Sequence, residues 1–377
     1  MKKRMANLEL LRTVSMLLVI VLHFLNKGGS LTDLKEPAFA VSDYLVWILE
    51  SLAIVAVNAY MLLSGYLLTE GTFRVERLIR LILQVWFYSV GIGAAALALG
   101  ILPREEFNIY YLFNLVFPIT KNQYWFMTAY VYMYLFAPLL GAGVRRLTPK
   151  QHRLVLGLAL LAFSVSKSIL PFRLETDQAG YDCIWFLCVF LTASYIRLHG
   201  VSFFKNAGRG LLVYLLAAAG IFGLTLGYRY VYLRTGRLSD MLTVCYEYNH
   251  ILVLTAAVGF FYLFYRTELK DGWFSRLILR IAPYTLGVYL WHEHIALRYR
   301  WEQWLYAVTG EPKGVISLLL LTLFAVSVVF VIGIAIDICR TLLFKGLDKA
   351  LLHIGLYKKC RESLGRPKIP AREEKTE

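Results

Sequence analysis

Asn7-Leu-Glu9-Leu-Leu-Arg12-Thr-Val-Ser-Met-Leu-Leu-Val-Ile-Val-Leu-His23 is the stretch that decides the fold. It is apolar for most of its length, yet it carries three ionisable side chains. On a helix the eleven steps from Arg12 to His23 end about 20° past three full turns, so both side chains share one face, about 16 Å apart along the axis. Glu9, three residues before Arg12, is placed to pair with it. The plain reading puts Glu9 and Arg12 at one membrane interface and His23 at the other. The functional reading starts from the several kcal/mol that an ionisable group costs inside a bilayer, which makes such a group a candidate site.

Lys2, Lys3 and Arg4 before this run give it the look of a secretory signal. No small-x-small cleavage site follows between Phe24 and Leu34, so the segment reads as a retained first membrane helix. The rest of the 377-residue chain agrees: 58% of it is hydrophobic, 17% is charged, and mean hydropathy is +0.58. A soluble domain has about 25% charged residues and too little interior to hide this much apolar surface. Disordered chains are poor in aromatics, which make up 15% here. The net charge of +15 would suit a nucleic-acid binder, but the Lys and Arg lie between apolar runs instead of forming a patch on a soluble domain. The composition therefore predicts an all-α, polytopic transmembrane helix bundle and no nucleic-acid partner.

Candidate spans are 8–25, 44–68, 78–99, 123–141, 154–170, 183–196, 211–233, 249–265, 281–297 and 315–343. Several are shorter than the roughly 20 residues a helix needs to cross, so the basic residues are used to test the count. With a cytoplasmic N-terminus, the inner connections hold Arg74, Arg77 and Arg80; Arg145, Arg146, Lys150 and Arg153; Arg197, Lys205 and Arg209; and Arg266, Lys270, Arg276 and Arg280. The clearest outer connection has only Arg173 against Glu175, Asp177 and Asp182. About ten spans with both termini cytoplasmic fit this alternation; eight or nine would break it. The division expected is an integral membrane domain over 5–345 and a basic cytoplasmic tail over 346–377 whose first part lies along the inner membrane surface. No internal repeat is visible, nor the paired interrupted helices of many transporters.

The five cysteines (183, 188, 245, 339 and 360) show no metal or redox spacing and read as packing residues. One disulfide, Cys183–Cys245, is left open because both residues fall near the outer surface. Among the other intramembrane charges Glu50, Lys167 and Asp337, Asp337 is expected to pair with Arg340 and Lys167 to snorkel outward.

Asn58, Ser64 and Gly65 give the second span the small and polar residues of a close helix contact. Arg77 and Arg80 follow at i and i+3, either as ordinary positive-inside bias or as two guanidinium groups able to grip phosphate. The ninth span holds Leu286-Gly-Val-Tyr-Leu-Trp-His292-Glu293-His294. His292 and His294 are two apart and point in different directions on a helix, so no metal site is expected. Glu293 beside a histidine can fix its tautomer and stabilise the imidazolium. Trp125 reads as an interfacial anchor or as part of an acceptor surface.

In this order the pieces resemble the acyltransferase 3 family: Arg12 and His23 with ten residues between them, the apolar Ser64-Gly-Tyr-Leu segment, Arg77-x-x-Arg80, and the late Tyr-Leu-Trp-His292 run. The resemblance covers about 5–345. It implies an O-acetyltransferase that moves an acyl group, usually acetyl, from cytoplasmic acetyl-CoA to a hydroxyl of an extracytoplasmic or membrane-linked glycan at the plasma membrane. It carries His23 and Arg12 over as a catalytic pair and Arg77 and Arg80 as coenzyme A phosphate contacts, with Ser64 beside them. Glu293 is expected as a further catalytic residue, and Trp125 and His292 on the acceptor side. Acyl-CoA, a glycan or lipid-linked sugar and membrane lipids are the expected partners. A transporter or flippase of glycans or small polar solutes also needs intramembrane polar groups, and a membrane protein without chemistry is the third reading. The shared face of Arg12 and His23, with a basic pair nearby, favours the enzyme.

Overall fold

A computed structural model describes residues 4–172 and 177–351. Its α-helices are α1 (Ala6–Lys27), α2 (Val41–Ala53), α3 (Ala56–Leu68), α4 (Val75–Ala98), α5 (Ile109–Val116), α6 (Trp125–Val144), α7 (Pro149–Leu160) and α8 (Ser166–Ile169). They continue with α9 (Cys183–His199), α10 (Ala207–Thr235), α11 (Ile251–Tyr265), α12 (Trp273–Ile281), α13 (Thr285–His292), α14 (Trp301–Thr309) and α15 (Val315–Leu351). A π-turn, Leu161–Val165, joins α7 to α8. There is no strand among the described residues. Lys2 and Lys3, Arg173 and Glu175, Cys360 and the tail over 352–377 lie outside them. The last helix passes through residue 345 without a break.

Eight helical stretches are long and apolar enough to cross a membrane: Ala6–Lys27, Val41–Leu68, Val75–Ala98, Trp125–Val144, Pro149–Ile169, Ala207–Thr235, Ser239–Tyr265 and Val315–Leu351. The two other expected spans differ in kind. The first is α9, with 17 residues. The second, expected over 281–297, is an interrupted pass in which α12 leads through a 3-10 turn at Ala282–Tyr284 into the eight residues of α13. Pro283 explains the interruption, because it lacks the N–H that a continuous helix needs there. The second span is also interrupted, at the β-branched pair Ile54-Val55 between α2 and α3.

The ends of these passes meet in two groups. At the arginine-rich end Arg4 bonds Leu279 O, Asn7 bonds Phe264 O and Tyr265 O, Arg145 bonds Thr69 O, and Arg197 pairs with Glu70. At the far end Lys27 pairs with Glu293, Arg229 bonds Glu36 O, and Arg300 bonds Glu106. Between the ends, α15 and α7 expose apolar residues such as Leu320, Leu323, Leu154 and Leu158, as a lipid-facing surface requires.

In lipid, apolar side chains gain little by meeting each other, so close packing and interhelical hydrogen bonds hold the bundle. Asn58 shows this: its amide donates to Tyr248 O at 2.7 Å and accepts from the Trp185 indole at 2.9 Å. Two glycines seat α13 on α15. A Cβ on Gly287 would lie 2.5 Å from Asp337 Cβ, and one on Gly333 would lie 2.7 Å from Val288 Cα. Asp337 is paired with Arg340 at 2.6 Å, as expected, and also accepts from Tyr88 and Gln84. Lys167 corrects an expectation. It does not reach outward; it is 3% exposed and is held between Asp177 and Glu247, whose charges offset its own. The Cys183–Cys245 disulfide is not formed, and both residues are free thiols.

Candidate active site

Helix α1 runs through the middle of the bundle, against α2, α3, α11, α12, α13 and α15. Leu11, Ile20, Phe24 and Leu25 on it are fully buried. Its ionisable groups therefore face protein. Glu9 and Arg12 form an ion pair at 2.6 Å near one end. His23 is at the other end, where α13 stops.

That stop matters. Because α13 ends at His292 and Glu293 lies just outside it, two consecutive residues reach the same partner. His23 Nδ1 is 2.8 Å from His292 Nε2 and 3.2 Å from Glu293 Oε1. His294 goes elsewhere, with Nε2 bonded to Ser89 O at 2.9 Å. The remaining nitrogen of His292, Nδ1, is 2.5 Å from Val288 O, a carbonyl that can only accept. His292 thus carries its proton on Nδ1, and Nε2 is left as an acceptor. His23 must then donate from Nδ1. Its own Nε2 keeps a lone pair and has no protein hydrogen-bond partner among the described residues. Such a nitrogen can take a proton or attack a carbonyl.

Two cavities follow this face of α1. The one at the His23 end of α1, called outer after the orientation expected from the sequence, measures about 30 Å³ and is lined by Met16, Val19 and His23, by Val57 and Tyr60, by Trp125 and Phe126, and by Tyr248, Leu286 and Tyr289. The inner one, about 240 Å³, is lined by Arg12, Ser64, Leu67, Leu68, Arg77, Leu78, Leu81, Tyr130 and Tyr134. The same three helices, α1, α3 and α6, line both in series. Stacked rings connect them, with Phe126 6.0 Å from Tyr130 and Tyr130 6.3 Å from Tyr134. In the outer cavity Trp125 stacks on Tyr248 (5.4 Å), and Tyr181 packs against Trp125 (4.4 Å) outside the cavity lining.

The sequence-derived candidates fall into three groups. His23, His292 and Glu293 touch, and Trp125 shares a cavity with His23. Arg12, Ser64 and Arg77 share the inner cavity. Arg80 joins neither: its side chain is 66% exposed and pairs with Glu76.

Sequence reasoning missed Lys27, which pairs with the Glu293 oxygen that faces His23. Its spacing was a usable signal, since Lys27 is four residues after His23 on the same face. Tyr289, which lies 6.4 Å from the His23 ring, was missed as well. So was Glu302 on α14, which is 1% exposed and whose two oxygens have no hydrogen-bond partner among the described residues. Burial pushes its carboxyl up to about 8.

His23, His292 and Glu293 bring metal-ligand atoms within 4.8 Å of one another. Lys27 already supplies positive charge to the Glu293 oxygen, and a cation would compete with it there. The geometry is better suited to proton handling: a carboxylate, an ammonium and two imidazoles with a fixed direction of donation.

The profile of the acyltransferase domain family, Acyl_transf_3, matches residues 5–338. No curated protein and no solved structure matches the chain.

Proposed function

The chain belongs to the acyltransferase 3 family, and from that premise we propose that it is a plasma-membrane O-acyltransferase. It moves an acyl group, acetyl first among the candidates, from cytoplasmic acyl-CoA to a hydroxyl of an extracytoplasmic or membrane-linked glycan. One observation carries the reading: a histidine with a directed Nε2 faces the outer of two cavities aligned along α1, and Arg12 faces the inner one. A charged donor enters from the basic side and its thioester reaches toward His23. The acceptor comes from the other side, over the Trp125, Tyr181 and Tyr248 rings. His23 Nε2 takes the acceptor's hydroxyl proton as the oxygen attacks the acyl carbon. The C–O bond forms, the C–S bond breaks, and the departing thiolate takes that proton from the His23 imidazolium, which restores the base. Glu293 holds the imidazolium that forms, as a carboxylate does for a histidine base, and Lys27, paired with Glu293, holds that carboxylate in place. Arg12 orients the donor three turns away.

The test is transfer of radiolabel from acetyl-CoA to glycan in vesicles that carry the protein, together with mass spectrometry of surface glycans from cells with and without it. The reading expects label in glycan and an acyl mass that disappears with the gene. Solute movement driven by an ion gradient, with no acetyl-CoA consumed, would establish the transporter reading instead.

A further inference from the structure

A second cavity opens beside the inner one at the arginine-rich end. It measures about 350 Å³ and is lined by Leu68, Gly71, Thr72, Phe73, Tyr134, Ala137, Pro138 and Arg145. Leu68 and Tyr134 line both cavities, so the two adjoin at the Tyr134 ring. Tyr134 is fixed on both sides. Phe73 packs on its ring at 5.2 Å, and its hydroxyl bonds the Arg74 backbone, accepting from N–H at 3.4 Å and donating to O at 3.3 Å. This contact sets the start of α4, from which Arg77 projects.

The arginines at this end are not equivalent. Arg12 is paired with Glu9, Arg80 with Glu76 and Arg197 with Glu70. Arg77 and Arg145 have no carboxylate partner among the described residues. Arg145 gives Nη1 to Thr69 O at 2.5 Å, which holds the guanidinium at the cavity and leaves its other nitrogens available. Two unspent guanidinium groups in adjoining cavities, with an aromatic wall between them, make a site for a ligand with two separated phosphate groups and a flat base. Guanidinium binds phosphate through paired hydrogen bonds, and a base stacks on an aromatic ring.

We propose that the second cavity seats the nucleotide end of acyl-CoA, with Arg145 on the 3′-phosphate, Arg77 on the pyrophosphate and Phe73 beside the adenine. This rests on the acyl-CoA reading above. The working arginine pair becomes Arg77 with Arg145, and Arg80 falls outside it because Glu76 already neutralises its charge.

The test compares binding of acetyl-CoA and acetyl-3′-dephospho-CoA to the purified full-length protein in detergent. The wild type is expected to bind acetyl-CoA about tenfold more tightly, the scale of one charge-assisted contact. Arg145→Gln loses that preference and binds both ligands equally. Arg80→Gln keeps it. Arg145→Lys keeps the charge without the guanidinium fork and retains part of the preference, which separates loss of the cation from damage to the Thr69 contact. A wild type that ignores the 3′-phosphate overturns the seat. So does Arg145→Gln or Arg145→Lys with the full preference, Arg145→Lys with none, or Arg80→Gln without the preference. A wild type that binds neither ligand overturns both the seat and the acyl-CoA reading, so the two failures are distinguishable.

Discussion

Helix α1 has two ends with ionisable groups on one face, and they differ in almost every physical respect. At the inner end Arg12 meets one carboxylate and faces about 240 Å³ of space beside exposed arginines. At the outer end His23 meets an imidazole, a carboxylate and, through it, an ammonium, beside a cavity of about 30 Å³. The first end has space and positive charge for something large, charged and hydrated. The second is small and mostly apolar, surroundings in which each charge acts strongly. On the proposed reading one helix separates the binding of a polar donor from the handling of a proton, a division that suits an acyl group entering on one side and leaving on the other.

The sharpest way to break this comparison is at the outer end. His23→Ala is expected to lower acyl transfer in vesicles by about 10²–10⁴-fold, the range for a lost acid–base group, with the protein still folded in the membrane. Arg12→Ala is expected to abolish transfer as well, by loss of donor orientation. Transfer unchanged by His23→Ala would remove that residue from the reaction. Next comes the Lys27–Glu293 pair. Glu293→Gln keeps the shape but removes the charge that holds the imidazolium, so kcat should fall while KM for acetyl-CoA stays near the wild-type value; a change confined to KM would place Glu293 with the donor instead. At Arg77 and Arg80, beyond Arg12 at the inner end, the effect is smaller and of the opposite kind. Arg77→Ala should raise KM for acetyl-CoA about tenfold, and Arg80→Ala much less; equal effects would mean that Glu76 does not neutralise Arg80.

The smallest effect concerns Glu302, at the edge of the outer end. Its folded-state pKa of about 8 lies above the ordinary 4.5. Between these values the unfolded chain has released a proton that the folded protein retains, so stability falls as pH rises across that window. Glu302→Gln cannot ionise. Its melting temperature should exceed the wild type by more at about pH 8 than at about pH 5; a difference that does not vary with pH would mean that the carboxyl is not held protonated.

The broad architecture was legible because hydrocarbon thickness fixes how long an apolar run must be. The pairings of Glu9 with Arg12 and of Asp337 with Arg340 were legible for a similar reason: both are three apart on a helix, where spacing dictates contact. Contacts between distant segments were not. Nothing local to Lys167 announces Asp177 or Glu247, so the rule for a lone lysine, which sends it to water, fails when carboxylates from other segments converge on it. Arg80 shares a helix face with Arg77, yet Glu76, four residues before it, takes its charge. The touch of His292 on His23 needed α13 to end where it does, and the effect of Pro283 on the direction of the next turn is a tertiary fact.

The glycine contacts between α13 and α15 have a mechanical consequence. An eight-residue helix has little stiffness of its own, so α13 takes its position from the long helix under it. At about 1.5 Å per residue α15 is far longer than the hydrocarbon is thick, and a helix of that length adapts to a thinner or thicker bilayer by changing its tilt. Through the close contacts at Gly287 and Gly333 a change of tilt would be felt next to His292 and Glu293, so on the proposed reading the rate of transfer would vary with lipid chain length.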